Sequence, residues 1–135
     1  KDLFNYYVDK HTQTLRKNGV EPTLLMTWAY KDKPDMINGL SSAYIAAGNR
    51  NKIMVFPVGL AFQLAEQEIS EIDLYTQDKR HPSKAGTYLM AAVIYSSVYN
   101  TSPIGNSYDY GLDPIIQERL QIIAWKALNQ YLIRR

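Results

Sequence analysis

The chain has 135 residues, 46% of them hydrophobic and 21% charged, which suits one modest globular domain with a real core and excludes a disordered segment. A formal charge of +2, with Lys and Arg scattered among Asp and Glu, leaves no basic stripe of the kind that nucleic-acid backbones select. No apolar run approaches the roughly eighteen residues of a membrane span, and the absence of cysteine excludes disulfides and thiolate metal sites.

Leu3, Phe4, Tyr7, Val8, His11 and Leu15 recur at helical spacing and Asn18-Gly19 supplies a stop, so the chain opens with an amphipathic helix. His11 reads as a packed or half-exposed helix residue, because no ligand-spaced partner stands near it. The first residues lack the apolar core of a signal peptide, and the compartment stays open. A start at Lys1 instead of Met suggests a processed, trimmed or subcloned product.

Pro22-Thr23-Leu24-Leu25-Met26-Thr27-Trp28 is a short apolar run between turn signals, as expected of a parallel strand buried on both faces. After a polar loop from Lys31 to Asp35, a helix runs from Met36 through Ala47 and ends near Gly48-Asn49. Ile53-Met54-Val55-Phe56-Pro57-Val58 reads as a second strand, and Leu60 to Gln67 as a short helix. Pro82 fits a first helical turn, so the next helix starts there, with Ala85, Tyr88, Leu89, Ala92, Val93, Ser96 and Tyr99 on its buried face. It stops before Asn100-Thr101-Ser102-Pro103. Pro114 opens a last helix that buries Ile116, Leu120, Ile123, Ala124, Ala127 and Tyr131, with Arg134 and Arg135 at its negative end.

Helix and strand alternate as in a doubly wound α/β sheet, yet two strands that look buried on both faces do not make one. Residues 1 to 135 therefore read as a single domain that is part of a larger α/β unit. A missing amino-terminal portion or a partner chain would complete its sheet.

Candidate chemistry gathers at Asp78 and His81. A carboxylate one short turn before His81 can hold the ring by one nitrogen and stabilise its charged form, which makes the imidazole a base. Trp28 and Tyr30, at a strand's carboxyl end, are candidate substrate contacts, since sites in open α/β sheets form there. Nothing in the residue pattern calls for a cofactor: no His, Asp and Glu cluster has metal-ligand spacing, and no Gly-rich loop follows a strand as a phosphate cradle would.

Asp78-x-x-His81-Pro82-Ser83, followed by Gly86, Tyr88, Leu89 and Ala91-Ala92, resembles the final motif block of the SGNH (GDSL-type) hydrolase superfamily. Leu25 to Tyr30, Pro57 to Ala61 and Leu74-Tyr75 look like a poorly characterised bacterial branch of it. The resemblance covers most of Phe4 to Trp125, the carboxyl half of such an enzyme. It implies a flavodoxin-like three-layer α/β/α fold, an extracytoplasmic setting, and hydrolysis of acyl or acetyl esters on carbohydrates or lipids. His81 would be the general base and Asp78 its orienting carboxylate. The family's nucleophilic Ser and oxyanion donors belong upstream of these residues, and none of those blocks precedes Asp78. Gly105-Asn106-Ser107-Tyr108 matches a nucleophile block in letters but follows a helix and a Pro turn, so Ser107 reads as a loop residue. Ser83 reads as a first-turn helix residue bonded locally. The alternative is a non-catalytic α/β glycan-binding or assembly module in which Asp78 and His81 merely cap a helix.

Overall fold

A computed structural model describes residues 2 to 134, residue 134 in its backbone only, so the charge match expected of Arg134 and Arg135 lies outside the described residues. Seven elements follow one another: α1 (Asp2–Lys17), β1 (Thr23–Leu25), α2 (Met36–Asn51), β2 (Met54–Phe56), α3 (Val58–Glu68), α4 (Lys84–Tyr99) and α5 (Pro114–Arg134). The chain is α/β, with a small parallel sheet of two strands among the described residues.

Several boundaries follow from local chemistry. Gly19, at φ 74°, closes α1, with its N–H and that of Val20 returning to the carbonyls of Arg16 and Leu15. Asp113 caps α5 by accepting from the N–H of Ile115 at 2.9 Å, and Pro114 takes the first helical position, where a missing N–H costs nothing. Asn100 ends α4 in the left-handed region at φ 49°.

The sequence places the end of α2 near Gly48, but the helix continues to Asn51 and is closed by Lys52 at φ 53°. Gly48 is there for packing, not for stopping. A Cβ at that position would stand 2.4 Å from Val55 Cγ2, so the bare backbone is what lets α2 lie against β2. Gly59 does the same for α3: its N–H donates to the Met26 carbonyl at 3.0 Å, and a Cβ would meet the Thr27 carbonyl oxygen at 2.3 Å. The start of α3 is thereby held against the end of β1.

The strands pair Thr23 with Met54, Leu24 with Val55 and Leu25 with Phe56, and Met26 N–H extends the ladder to the Phe56 carbonyl at 3.0 Å. Alternation puts Leu24 and Val55 on one face, and Thr23, Leu25, Met54 and Phe56 on the other. Burial on both faces was expected, and the second is covered only in part: Phe56 packs against the main core, while its neighbours on that face stay open. Val55 is 2% exposed, whereas Leu25 and Met54 are 37% and 43% exposed. The physical reason is the short sheet: among the described residues no third strand pairs with either edge, and Leu25 and Met54 are left partly uncovered.

The largest core lies between α3, α4 and α5, around Phe62, Leu74, Leu89, Val93, Leu120 and Ile123. A second cluster joins Met26 and Val55 of the sheet region to Leu128 and Tyr131 of α5. Tyr99, expected on the buried face of α4, is exposed because the core stops at Ser96. The stripe of α1 is also less covered than its pattern suggests: Val8 and Thr12 are buried while Leu3, Tyr7 and Leu15 are not. His11 is exposed and stacks on Tyr7, as befits a residue without catalytic company. No helix among the described residues is long and apolar enough to cross a membrane.

Candidate functional site

The stretch from Leu74 to Ser83 forms a loop tied at its base. Tyr75 and Pro82 make an antiparallel bridge, with Thr76 N–H donating to the His81 carbonyl at 2.9 Å and Ser83 N–H to that of Leu74 at 2.8 Å. At the tip Lys79 takes φ 62° and its N–H closes a turn on the Thr76 carbonyl. This pairing moves the helix start. Pro82, expected in the first helical turn, belongs to the bridge, and Ser83 is the N-cap of α4, accepting from Gly86 N–H at 3.2 Å and donating to the Asp73 carbonyl at 2.7 Å. His81 thus stands two residues before the cap.

Asp78 organises the loop tip. Its Oδ1 accepts from Thr76 Oγ1 at 2.8 Å and from the backbone N–H groups of Arg80 and His81 at 2.9 Å each. Its Oδ2 bonds His81 Nδ1. The His81 ring first, then the His81 and Arg80 amides and the Thr76 hydroxyl, hold the Asp78 carboxyl far below the usual carboxylate range. An ionised carboxylate accepts only, so Nδ1 carries the proton toward it and the neutral ring keeps its lone pair on Nε2. The His81 side chain is 79% exposed, and its Nε2 makes no hydrogen bond to another described residue.

The end of β1 grips this loop from outside. Trp28 donates its indole N–H to the Arg80 carbonyl at 2.8 Å while its ring stacks on Phe62 at 4.8 Å between centroids. Lys31 N–H donates to the Lys79 carbonyl at 3.0 Å, and the Arg80 guanidinium lies 5.0 Å from the centre of the Tyr30 ring. Tyr75 donates its hydroxyl to the Ala29 carbonyl at 2.8 Å, and burial, helped by Glu66 and Asp73, pushes that phenol up to about 12. Trp28 and Tyr30 are therefore both brought to the loop that bears Asp78 and His81. Trp28 is already committed to Phe62 and Arg80.

Ser107 is exposed in the loop before α5 and makes no hydrogen bond to His81 among the described residues. That loop is pinned by the buried Gln121, whose amide bonds Tyr88 Oη, the Asn106 carbonyl and Gly105 N–H. Thr76 and Arg80, not singled out from the sequence, complete the site: one fixes the carboxylate, the other lies on Tyr30. Their position inside a ten-residue turn-rich stretch was the available signal. Gln63, Glu66 and Gln67, a polar i, i+3, i+4 set in α3, also escaped the sequence reading and line a pocket together with Tyr30. Among the described residues no group of three or more His, Asp and Glu side chains is placed to hold a metal ion.

No protein-family profile matches the chain, and no curated protein matches it. Among solved structures it is similar to a DUF4886 family protein from Bacteroides uniformis, with 23% identity and a TM-score of 0.72. The likeness carries the fold alone. It covers 82% of this chain and 48% of that one, so the chain spans about half the length of the structure it matches. The resemblance to the SGNH superfamily is thereby corrected: the structural neighbour is a DUF4886 protein, and no family profile supports the hydrolase motif. The motif letters have a local explanation, since Asp78, His81, Pro82 and Ser83 build a carboxylate-centred turn, a bridge and a helix cap.

Proposed function

We propose that Asp78 and His81 are the proton-relay part of an ester hydrolase site whose nucleophile and oxyanion donors come from outside these 135 residues. The supporting observation is the Asp78 carboxylate, immobilised by three further donors while it holds His81 Nδ1 and leaves Nε2 open. In acyl transfer, Nε2 takes the proton of the attacking hydroxyl as the oxygen–carbonyl bond forms, and the imidazolium rests on Asp78. It then returns the proton to the departing alcohol as the ester C–O bond breaks. The ester belongs to a carbohydrate or a lipid acyl group.

On this reading the two strands are one border of a flavodoxin-like three-layer doubly wound sheet. The unpaired sheet edges, the partly exposed Leu25 and Met54, and an apolar groove of about 530 Å³ between α1 and β1 suit further strands and helices. A structural neighbour that is matched over 48% of its own length supports that reading.

The test uses the polypeptide encoded by the whole reading frame, assayed on p-nitrophenyl acetate. His81→Ala should lower kcat by about 10⁴-fold in protein that still folds, because the side chain is 79% exposed. Equal turnover by the wild type and the variant would refute the assignment. One observation favours a second reading, a non-catalytic binding or assembly module: every bond of Asp78 is local to its own loop, so the pair would build that loop without any chemistry.

A further inference from the structure

A second concavity lies on the other side of Tyr30, between the start of α2 and one face of α3, with a volume of about 290 Å³. Its floor is apolar and closed, formed by the buried Ala29, Ile37, Phe62 and Tyr75. Its wall is polar. Asp35 and Asn38 supply it from α2, and Gln63, Glu66 and Gln67 from successive turns of α3.

None of these five side chains donates or accepts a hydrogen bond to another described residue, and Asp35, although at the N-cap of α2, makes no capping bond. Lys31, the cation at this site, is spent on Asp73 at 2.8 Å. Burial raises the Glu66 carboxyl above its ordinary range against the pull of Lys31, as expected of a carboxyl partly withdrawn from water with no donor supplied.

The unspent groups define what fits. Two carboxyls against a single cation already paired with Asp73 disfavour phosphate or sulfate. An acyl chain would strip water from three amides and two carboxyls and return nothing. A metal ion lacks a third clustered ligand. A hydroxyl-rich ring meets every condition: each hydroxyl donates to a carboxyl or amide oxygen and accepts from an amide NH₂, while the C–H face lies on the apolar floor. The volume holds one small ring.

We infer that this pocket binds a single sugar ring. It adjoins the relay, since Tyr30 lines the pocket and carries Arg80 on its ring, and Lys31 bonds the neighbouring Lys79 carbonyl. The ring's role as the alcohol side of the scissile ester rests on the esterase reading; the pocket's affinity does not.

N-acetylglucosamine, glucose and xylose, with octanoate and inorganic phosphate as controls, are titrated into isotope-labelled protein and followed by side-chain amide NMR. At least one sugar should shift the NH₂ signals of Asn38, Gln63 and Gln67 saturably, with a Kd on the order of 1 to 10 mM, and the controls should not. Gln63→Ala and Gln67→Ala, which keep a good helix former in α3, should each weaken binding about fivefold. His81→Ala should leave it unchanged. The inference is overturned if no sugar shifts those signals by about 100 mM, or if binding survives in the Gln63→Ala/Gln67→Ala double variant. Sugar binding alongside ester turnover indifferent to His81→Ala would sustain the pocket and remove the esterase reading.

Discussion

Replacing Trp28 by Phe separates the anchoring of the loop from the packing beneath it. The substitution keeps an aromatic face for Phe62, now 4.8 Å away and nearly parallel, and deletes the N–H that bonds the Arg80 carbonyl at 2.8 Å. A neutral hydrogen bond of this kind contributes about 1 kcal/mol net, and the cost stays at that level because Arg80 is exposed and water can reach its carbonyl. One kilocalorie per mole corresponds to about a fivefold change in the local opening equilibrium. Loss of the larger indole adds about 1 kcal/mol of global destabilisation through packing. The Lys31 to Lys79 backbone bond survives, so the loop loosens without detaching.

Native-state hydrogen exchange reads the two effects apart. The amides of Thr76, Lys79 and Ser83, bonded within the loop or at its base, should exchange about fivefold faster in Trp28→Phe. Phe62→Leu is the control: Phe62 is 1% exposed, so this variant should accelerate the core amides of α4 around Leu89 more than the loop amides, although Phe62 also touches Trp28 and Tyr75. If Trp28→Phe leaves the three loop amides unchanged, or Phe62→Leu accelerates them equally, Trp28 is a core residue and the anchoring argument fails.

Gly86→Ala should destabilise the protein by about 3 kcal/mol or prevent folding, because a Cβ there would lie 2.3 Å from the Leu74 carbonyl oxygen and 3.1 Å from Phe62 Cζ. Denaturant titration with a midpoint equal to wild type would show that α4 can shift to accept it. Asp78 predicts an acid transition: its carboxyl is lowered in the folded chain, so its contribution is complete above the ordinary value of 3.8 and disappears as pH falls from there through the folded value. The backbone amides of Arg80 and His81 should hold their NMR positions down to pH about 4 and move below it; movement centred well above that range would show that Asp78 is not the group that holds them.

Much of the helix framework was legible because its punctuation is local: Gly19, Asn100 and Pro114 each act within one turn of themselves. What failed did so where a distant contact outranked local preference. Gly48 has the composition of a stop, yet it lies inside α2 because Val55 leaves no room for a side chain. Pro82 has the φ of a first helical turn, yet bonding of Ser83 N–H to Leu74 and of Thr76 N–H to the His81 carbonyl draws it into a bridge. The two apolar runs read correctly as parallel strands, while their burial depends on neighbours that lie beyond any short window. At the site, Asp78 and His81 were visible because they stand only three positions apart. The pocket of Asn38, Gln63, Glu66 and Gln67 was not, because two helices distant in sequence must meet before their side chains face one another. Motif letters alone overreached: Asp78 to Ser83 suggested a superfamily, and the same residues suffice to make a turn and a cap.

The loop is joined to the strand end by one indole bond, one backbone bond and a buried phenol bridging Tyr75 to Ala29. Three ties of different chemistry between two short segments leave no slack. Trp28, Ala29 and Lys31 lie just beyond β1, which like β2 keeps one edge unpaired among the described residues. The backbone on either side of His81 is thus fastened to the segment that leaves the sheet, so a strand added beside β1 would meet the same residues that hold the loop.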